Sequence, residues 1–400
     1  MQVQLDPNLT LAAATLVLLL GRALIGQIGF LRAYSIPEPV VGGLIVALLV
    51  TGLRGFDLQV SFDSSLQSPL MLMFFASVGL SADARSLARG GLKLVVFLAI
   101  VAAMLIMQNL IGVGAALAMD LNPLVGLLAG SISMAGGHGT GAAWAGRFAE
   151  VQNLRGALEL AIASATFGLI LGGIVGGPVA RRLIERLPGD SRRGRGRAEE
   201  GAERAAPEAV SDARSVIDTL LLMALCLAAG SFVARWLEGS ALTLPAFVWT
   251  LFVGILLRNL LGFSGAYAVR DETVGLLGSV ALSIFLAMAL MSLRLWQLVD
   301  LAVPIMVILA LQAAAMALFA TFVTFRFMGG DYDAAVMAAG QCGFGLGATP
   351  TAIANMQAVT DRYGPSPQAF LLVPIIGAFL IDITNALVIK GFLALPVFGF

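Results

Sequence analysis

Ten apolar stretches dominate the 400-residue chain: residues 9–31, 38–53, 66–80, 92–119, 157–180, 216–238, 243–261, 275–292, 299–327 and 368–395. About 20 apolar residues in a helix cross the hydrocarbon core of a bilayer. Inside that core only a helix or a closed barrel satisfies its own backbone. Charged residues make up 12% of the sequence against 59% hydrophobic, and mean hydropathy is +0.93. A soluble domain carries roughly a quarter charged residues. The chain is therefore expected to be an all-α polytopic membrane protein. The opening "MQVQLDPNLT" places no Lys or Arg ahead of its apolar run, unlike a cleaved signal peptide. Cys226 and Cys342 both stand in apolar sequence, which argues against a structural disulfide, and no metal-ligand cluster is evident.

Two further apolar segments, near 123–146 and 332–357, do not read as ordinary spans. "GSISMAGGHGTGAAW" (130–144) holds five glycines and the only histidine of the chain, and "CGFGLGATPTAIAN" (342–355) repeats the pattern of alternate glycines. Irregular backbone survives at membrane depth only where it lines a cavity. Glycine accepts positive φ and close backbone approach, so both segments read as re-entrant hairpins whose tips are meeting points of helix ends. A helix that starts at such a tip aims free N–H groups and about half a positive charge at it. Pro350 suits a first helical turn. A tip of this kind can hold a carboxylate without a fixed cation, while opposing carbonyls can hold sodium.

The one long polar stretch, 181–215, is rich in Arg, Glu, Ala, Gly and Pro and reads as a linker. Its nine arginines assign it to the cytoplasm by the positive-inside rule. Its glutamates offset the basic charge, so it reads as a topology signal and tether rather than a nucleic-acid site. On either side the sequence repeats weakly. "SIPEPVVGGLIVALLV" from Ser35 matches "TLPAFVWTLFVGILLR" from Thr243 at a displacement of 208, and Gly137 and Gly139 match Gly345 and Gly347 at the same displacement. "FFASVGLSA" (74–82) resembles "IFLAMALMS" (284–292). The expected organisation is a half at 1–180, the linker, and a second half at 216–400, each with five full spans and one hairpin. An odd number of crossings inverts the second half, giving an inverted repeat. With both termini periplasmic, Arg32, Arg85, Arg89, Lys93, the linker arginines, Arg258, Arg270, Arg326 and Arg362 all fall inside.

"GSISMAGGHGTGAAWA" (130–145), "LELAIASATFGLILGGIVGGPVA" (158–180), "CGFGLGATPTAIANM" (342–356) and "FLIDITNALVI" (379–389) together resemble the bacterial glutamate:sodium symporter family. The resemblance covers nearly the whole chain outside the linker. It implies Na⁺-coupled uptake of L-glutamate across the inner membrane, two inverted five-helix domains, and a homodimer in the lipid bilayer. It implies no cofactor beyond Na⁺ as coupling ion, no nucleic acid and no enzymatic chemistry.

On this reading Gly136, Gly137, Gly139, Thr140, Gly345, Gly347 and Thr349 line the substrate at the tips. His138 either donates to a substrate carboxylate, relays a proton, or fixes the hairpin as a neutral ring. Asp382, three residues before Asn385 on one helical face, either neutralises a sodium ion, receives the substrate ammonium or hydrogen-bonds a neighbouring helix, and Asn385 is a substrate-binding candidate beside it. An acid at membrane depth is a functional candidate by default. Ser131, Ser133, Thr351 and Asn355 offer neutral oxygens for Na⁺ beside Asp382. Gln108, Asn109 and Gln312 are weaker polar candidates, and Gly172-Gly173 and Gly176-Gly177 read as close-packing positions. A citrate or other dicarboxylate transporter is the nearest alternative, and a channel with paired half-helices a further one. An intramembrane hydrolase built on Ser131 or Ser133 with His138 lacks a nucleophile elbow.

Overall fold

The computed structural model describes residues 2–33, 36–54, 59–188, 212–238, 244–265, 267–294 and 302–398. The middle of the linker and the first residues of the matched segments, Ser35 and Thr243, lie outside them. Apart from a parallel pair of three-residue strands, Gln2–Gln4 with Gln59–Ser61, the described residues are built from helices. Among them seven helices are long and apolar enough to cross a membrane. An eighth span results if Pro367–Ala378 and Ile381–Leu393, bent by 49°, count as one. Two further apolar stretches form shorter helices, Glu38–Arg54 of 17 residues and Gln67–Leu80 of 14. The chain is thus an all-α polytopic membrane protein, as its hydropathy requires.

The helices group into two compact units, residues 1–84 with 208–299 and residues 85–207 with 300–400. Each unit draws on both sides of the linker.

The first unit contains α1 (Pro7–Gln27), α2 (Gly29–Ala33), α3 (Glu38–Arg54), α4 (Gln67–Leu80), α9 (Ala213–Trp236), α10 (Ala246–Ser264) and α11 (Asp271–Met291). Its packing is reciprocal: α1 lies on α3 and α3 on α11, while α9 lies on α10 and α10 on α4. Small residues allow the approach, as in many membrane helix pairs. A Cβ at Gly43 would lie 2.4 Å from the Leu290 Cβ, and one at Gly79 would lie 2.3 Å from the Leu251 carbonyl oxygen. One end of this unit is polar. The Arg258 guanidinium, only 11% exposed, contacts Asp271 at 2.9 Å and Asp83 at 3.7 Å, and donates to the Val269 carbonyl at 3.0 Å. Asn259 bridges the Ala84 amide and the Ala82 carbonyl, both at 2.9 Å. Asp212 caps α9 by accepting the Ser215 amide at 2.9 Å, and these Ser215 hydrogen bonds hold its carboxyl below the usual range. Arg270 reaches the same Asp212 at 3.7 Å, so the cations expected inside, Arg258 and Arg270, share one end with the start of α9.

The second unit contains α5 (Ala84–Ala118), α6 (Pro123–Leu127), α7 (Gly137–Gln152), α8 (Ala157–Glu185), α12 (Ala302–Phe319), α13 (Phe325–Phe327), α14 (Tyr332–Leu346), α15 (Thr349–Tyr363), α16 (Pro367–Ile375) and α17 (Ile381–Leu393). Only the first residue of α5 falls outside this unit. Gly91, with φ +56, breaks α5 before its membrane span. Along α8, glycines open a groove for the second hairpin. A Cβ at Gly168 would lie 2.2 Å from the Leu346 carbonyl oxygen, and one at Gly176 would lie 2.2 Å from Asn355 Nδ2. The arms α14 and α15 pack on each other, and their open ends are tied together. The Tyr332 hydroxyl donates to the Gly364 carbonyl, and Ser366 donates to Asp333 at 2.5 Å. Each arm has 15 residues, about 22 Å of helix, against a bilayer core of about 30 Å.

Candidate functional site

The first hairpin opens where Asn122 accepts the Leu124 amide at 2.9 Å and Pro123 starts α6, a position where its missing N–H is no loss. The helix then loosens into a π-helical turn, Leu128–Ile132, in which Gly130 leaves helical geometry (φ −91°, ψ −139°). Asn109 of α5 explains the break. Its Oδ1 accepts the Ser131 amide at 2.9 Å, and a Cβ at Gly130 would lie 2.7 Å from that oxygen. The chain turns, and α7 starts at Gly137 with φ +64, a left-handed conformation that side chains resist.

The second hairpin starts with Asp331 accepting the Ala334 amide at 2.9 Å as the cap of α14. Its break is short, Gly347 and Ala348, after which Thr349 and Pro350 begin α15. Gly343 and Gly345 therefore lie inside α14, short of the tip. Gly343 admits α15, since a Cβ there would lie 2.4 Å from the Ala352 Cα. Gly345 sits against the sulfurs of Met104 and Met316. Their alternation reflects close packing around a helix, whereas Gly347 makes the turn.

The tips meet. A Cβ placed at Gly137 would lie 3.6 Å from the Gly347 carbonyl oxygen. Two helices start here, so their unpaired first-turn N–H groups and about half a positive charge apiece converge on one region. His138 is buried in the first turn of α7, and its Nε2 lies 3.0 Å from Thr166 Oγ1. Thr166 donates its own proton to the Ile162 carbonyl at 2.8 Å, so its oxygen accepts from His138. That assigns the ring proton to Nε2 and leaves Nδ1 a lone pair. Thr140 packs over Gly136, and Thr349 of α15 donates to the Gly377 carbonyl at 2.5 Å.

Three expected sodium ligands, and Asn385 among the expected substrate ligands, are buried with free oxygens. The hydroxyls of Ser131, Ser133 and Thr351 and Oδ1 of Asn385 have no hydrogen-bond partner among the described residues. Asn385 Nδ2 donates to the Ser131 carbonyl at 2.9 Å, joining α17 to the π-helical turn. Asp382 stands one turn earlier on the same helix face and has no hydrogen bond or ion pair among the described residues. Asn355 is placed differently. Its Nδ2 braces α8 to α14 through the carbonyls of Gly172 at 2.9 Å and Ala339 at 3.3 Å.

Gln108 and Gln312 turn out to be braces across the site. Gln108 donates to the Gly345 carbonyl at 2.6 Å, and Gln312 donates to the Gln108 carbonyl at 2.7 Å and the Ala129 carbonyl at 3.5 Å. Thr166, Gly130 and Gly377 escaped the sequence reading. Only Gly130 carried a signal there, as a glycine at the head of the first hairpin motif.

Broken helices meeting inside a bundle of membrane spans define a class, the polytopic proteins to which secondary transporters belong. Known proteins narrow that class. The sodium/glutamate symporter family model matches residues 3–365. The sodium/glutamate symporters of Escherichia coli (strain K12) and Shigella flexneri are each 54% identical over 402 residues, covering 99% of this chain and 99% of theirs. That of Haemophilus influenzae is 51% identical over 385 residues, with 95% of each chain covered. The chain belongs to the sodium/glutamate symporter family, a family of transporters.

Proposed function

We propose that this chain carries L-glutamate into a bacterial cell together with Na⁺, by alternating access across the inner membrane. The observation that carries this reading is the meeting of the two tips at Gly137 and Gly347, where α7 and α15 both begin. Two helix N-termini suit the carboxylates of glutamate without a fixed cation. The lone pair on His138 Nδ1 suits its ammonium better than its carboxylates. The free oxygens of Ser131, Ser133, Thr351, Asn385 and Asp382 suit sodium, which takes neutral oxygens and a carboxylate. Bound sodium and substrate then neutralise one another, so each requires the other.

The hairpins are read as re-entrant because each arm of the second is shorter than the bilayer core and both of its open ends are tied together. The reciprocal contacts inside each unit support a duplication with inverted halves at 1–180 and 216–400. Movement of the hairpin unit as an elevator, a homodimeric assembly, periplasmic termini and a cytoplasmic linker complete the proposal. The test is uptake of labelled glutamate into proteoliposomes. Accumulation above the outside concentration is expected with an inward Na⁺ gradient and is lost when choline replaces sodium. Equal uptake in choline contradicts the coupling. A panel of unlabelled citrate and other dicarboxylates tests the substrate, since glutamate alone should compete strongly.

A further inference from the structure

We infer that Asp382, Oδ1 of Asn385 and Oγ of Ser131 form one sodium site, and that Asp382 is a ligand of the ion rather than the anchor of the substrate ammonium. The inference deepens the proposed sodium coupling and rests on it. Asp382 is half-buried, on the face of α17 that carries the buried Asn385, Ala386 and Ile389 at three, four and seven residues on. A carboxylate at this depth is costly without a compensating charge, and among the described residues none pairs with it.

Its neighbours present oxygens that the fold leaves without partners. The Asn385 amide is fixed by Nδ2 on the Ser131 carbonyl, which leaves Oδ1 without a partner. Both backbone groups of Ser131 are already engaged, the amide by Asn109 and the carbonyl by Asn385, and its hydroxyl stays unpartnered. Ser131 and Asn385 are 0% exposed, which favours a bare ion over a substrate ammonium tied to its own carbon and carboxylate. Both backbone segments involved carry π-helical turns, Leu128–Ile132 and Ile376–Leu380. Such turns recur at functional sites.

The experiment measures the melting temperature of the full-length protein in detergent as choline is replaced by NaCl at constant ionic strength, with no glutamate present. Wild type should show a saturable rise. Asp382→Asn should lose that rise while melting in choline at least as high as wild type. Asn385→Ala and Ser131→Ala should each raise the half-saturating Na⁺ concentration about tenfold. Should Asp382→Asn fail to fold, these two variants decide, and an unchanged half-saturation in both overturns the site. An Asp382→Asn protein that keeps the sodium response overturns it too, and if a second titration with glutamate at saturating Na⁺ no longer raises its melting temperature, Asp382 is the ammonium anchor. Absence of any sodium response in wild type would instead defeat the coupling itself.

Discussion

Gln108 Nε2 donates to the Gly345 carbonyl at 2.6 Å, a fully buried bond from the crossing helix α5 to the last turn before the second hairpin tip. Replacing Gln108 by Leu keeps the volume but strands that carbonyl, and an unsatisfied buried acceptor costs about 1–3 kcal/mol. The variant should melt lower than wild type and show weaker glutamate binding, because the tip loses its brace. Unchanged melting and binding would mean the bond contributes nothing.

Neighbouring glycines on α8 make a sharper comparison. A Cβ at Gly176 would meet Asn355 Nδ2 at 2.2 Å and the Ala339 carbonyl oxygen at 2.9 Å, whereas one at Gly177 would meet nothing within 4 Å. Gly176→Ala should therefore force α14 away and destabilise by about 1–3 kcal/mol. Gly177→Ala should be neutral or slightly stabilising. Thermal melting of the two variants side by side checks this, and equal behaviour would refute the close packing.

Gly137 tests conformation rather than space, since its nearest neighbour to a Cβ is 3.6 Å away and its φ is +64. Gly137→Ala should reduce glutamate uptake through strain of about 1–2 kcal/mol at the tip. Gly146→Ala, in open space on the same helix, should leave uptake unchanged. If both variants transport like wild type, the tip does not need its left-handed turn.

The chain from His138 through Thr166 to Ile162 makes the Nε2 proton the one that holds the hairpin. Glutamine can present an amide N–H at the same reach, and alanine cannot. His138→Gln should retain far more Na⁺-driven uptake than His138→Ala. Equal loss in both would shift the weight to the free Nδ1 and its role toward substrate.

Hydropathy is a local property, and it made the membrane helices legible, because each apolar stretch buries its own backbone bonds. The glycines at 136–141 and 343–347 likewise revealed two breaks. The position of the second break was less legible. Gly343 and Gly345 have the same residue type as Gly347, yet serve packing against Ala352 and the methionines 104 and 316. The bracing role of the Asn355 amide was not legible, because only the fold brings Gly172 and Ala339 to it. Gln108 and Gln312 looked weak for the same reason, their partners being far along the chain. The grouping of helices into units that each draw on both sides of the linker depends on contacts that no local pattern encodes.

The most direct test of the meeting hairpins is aqueous labelling of single cysteines at 135–141 and 347–351, in a background without Cys226 and Cys342. Membrane-impermeant thiol reagents should modify positions at both tips, and Na⁺ together with glutamate should protect both sets. Tips that stay unreactive from either face, or that react equally with and without the two ligands, would contradict the account.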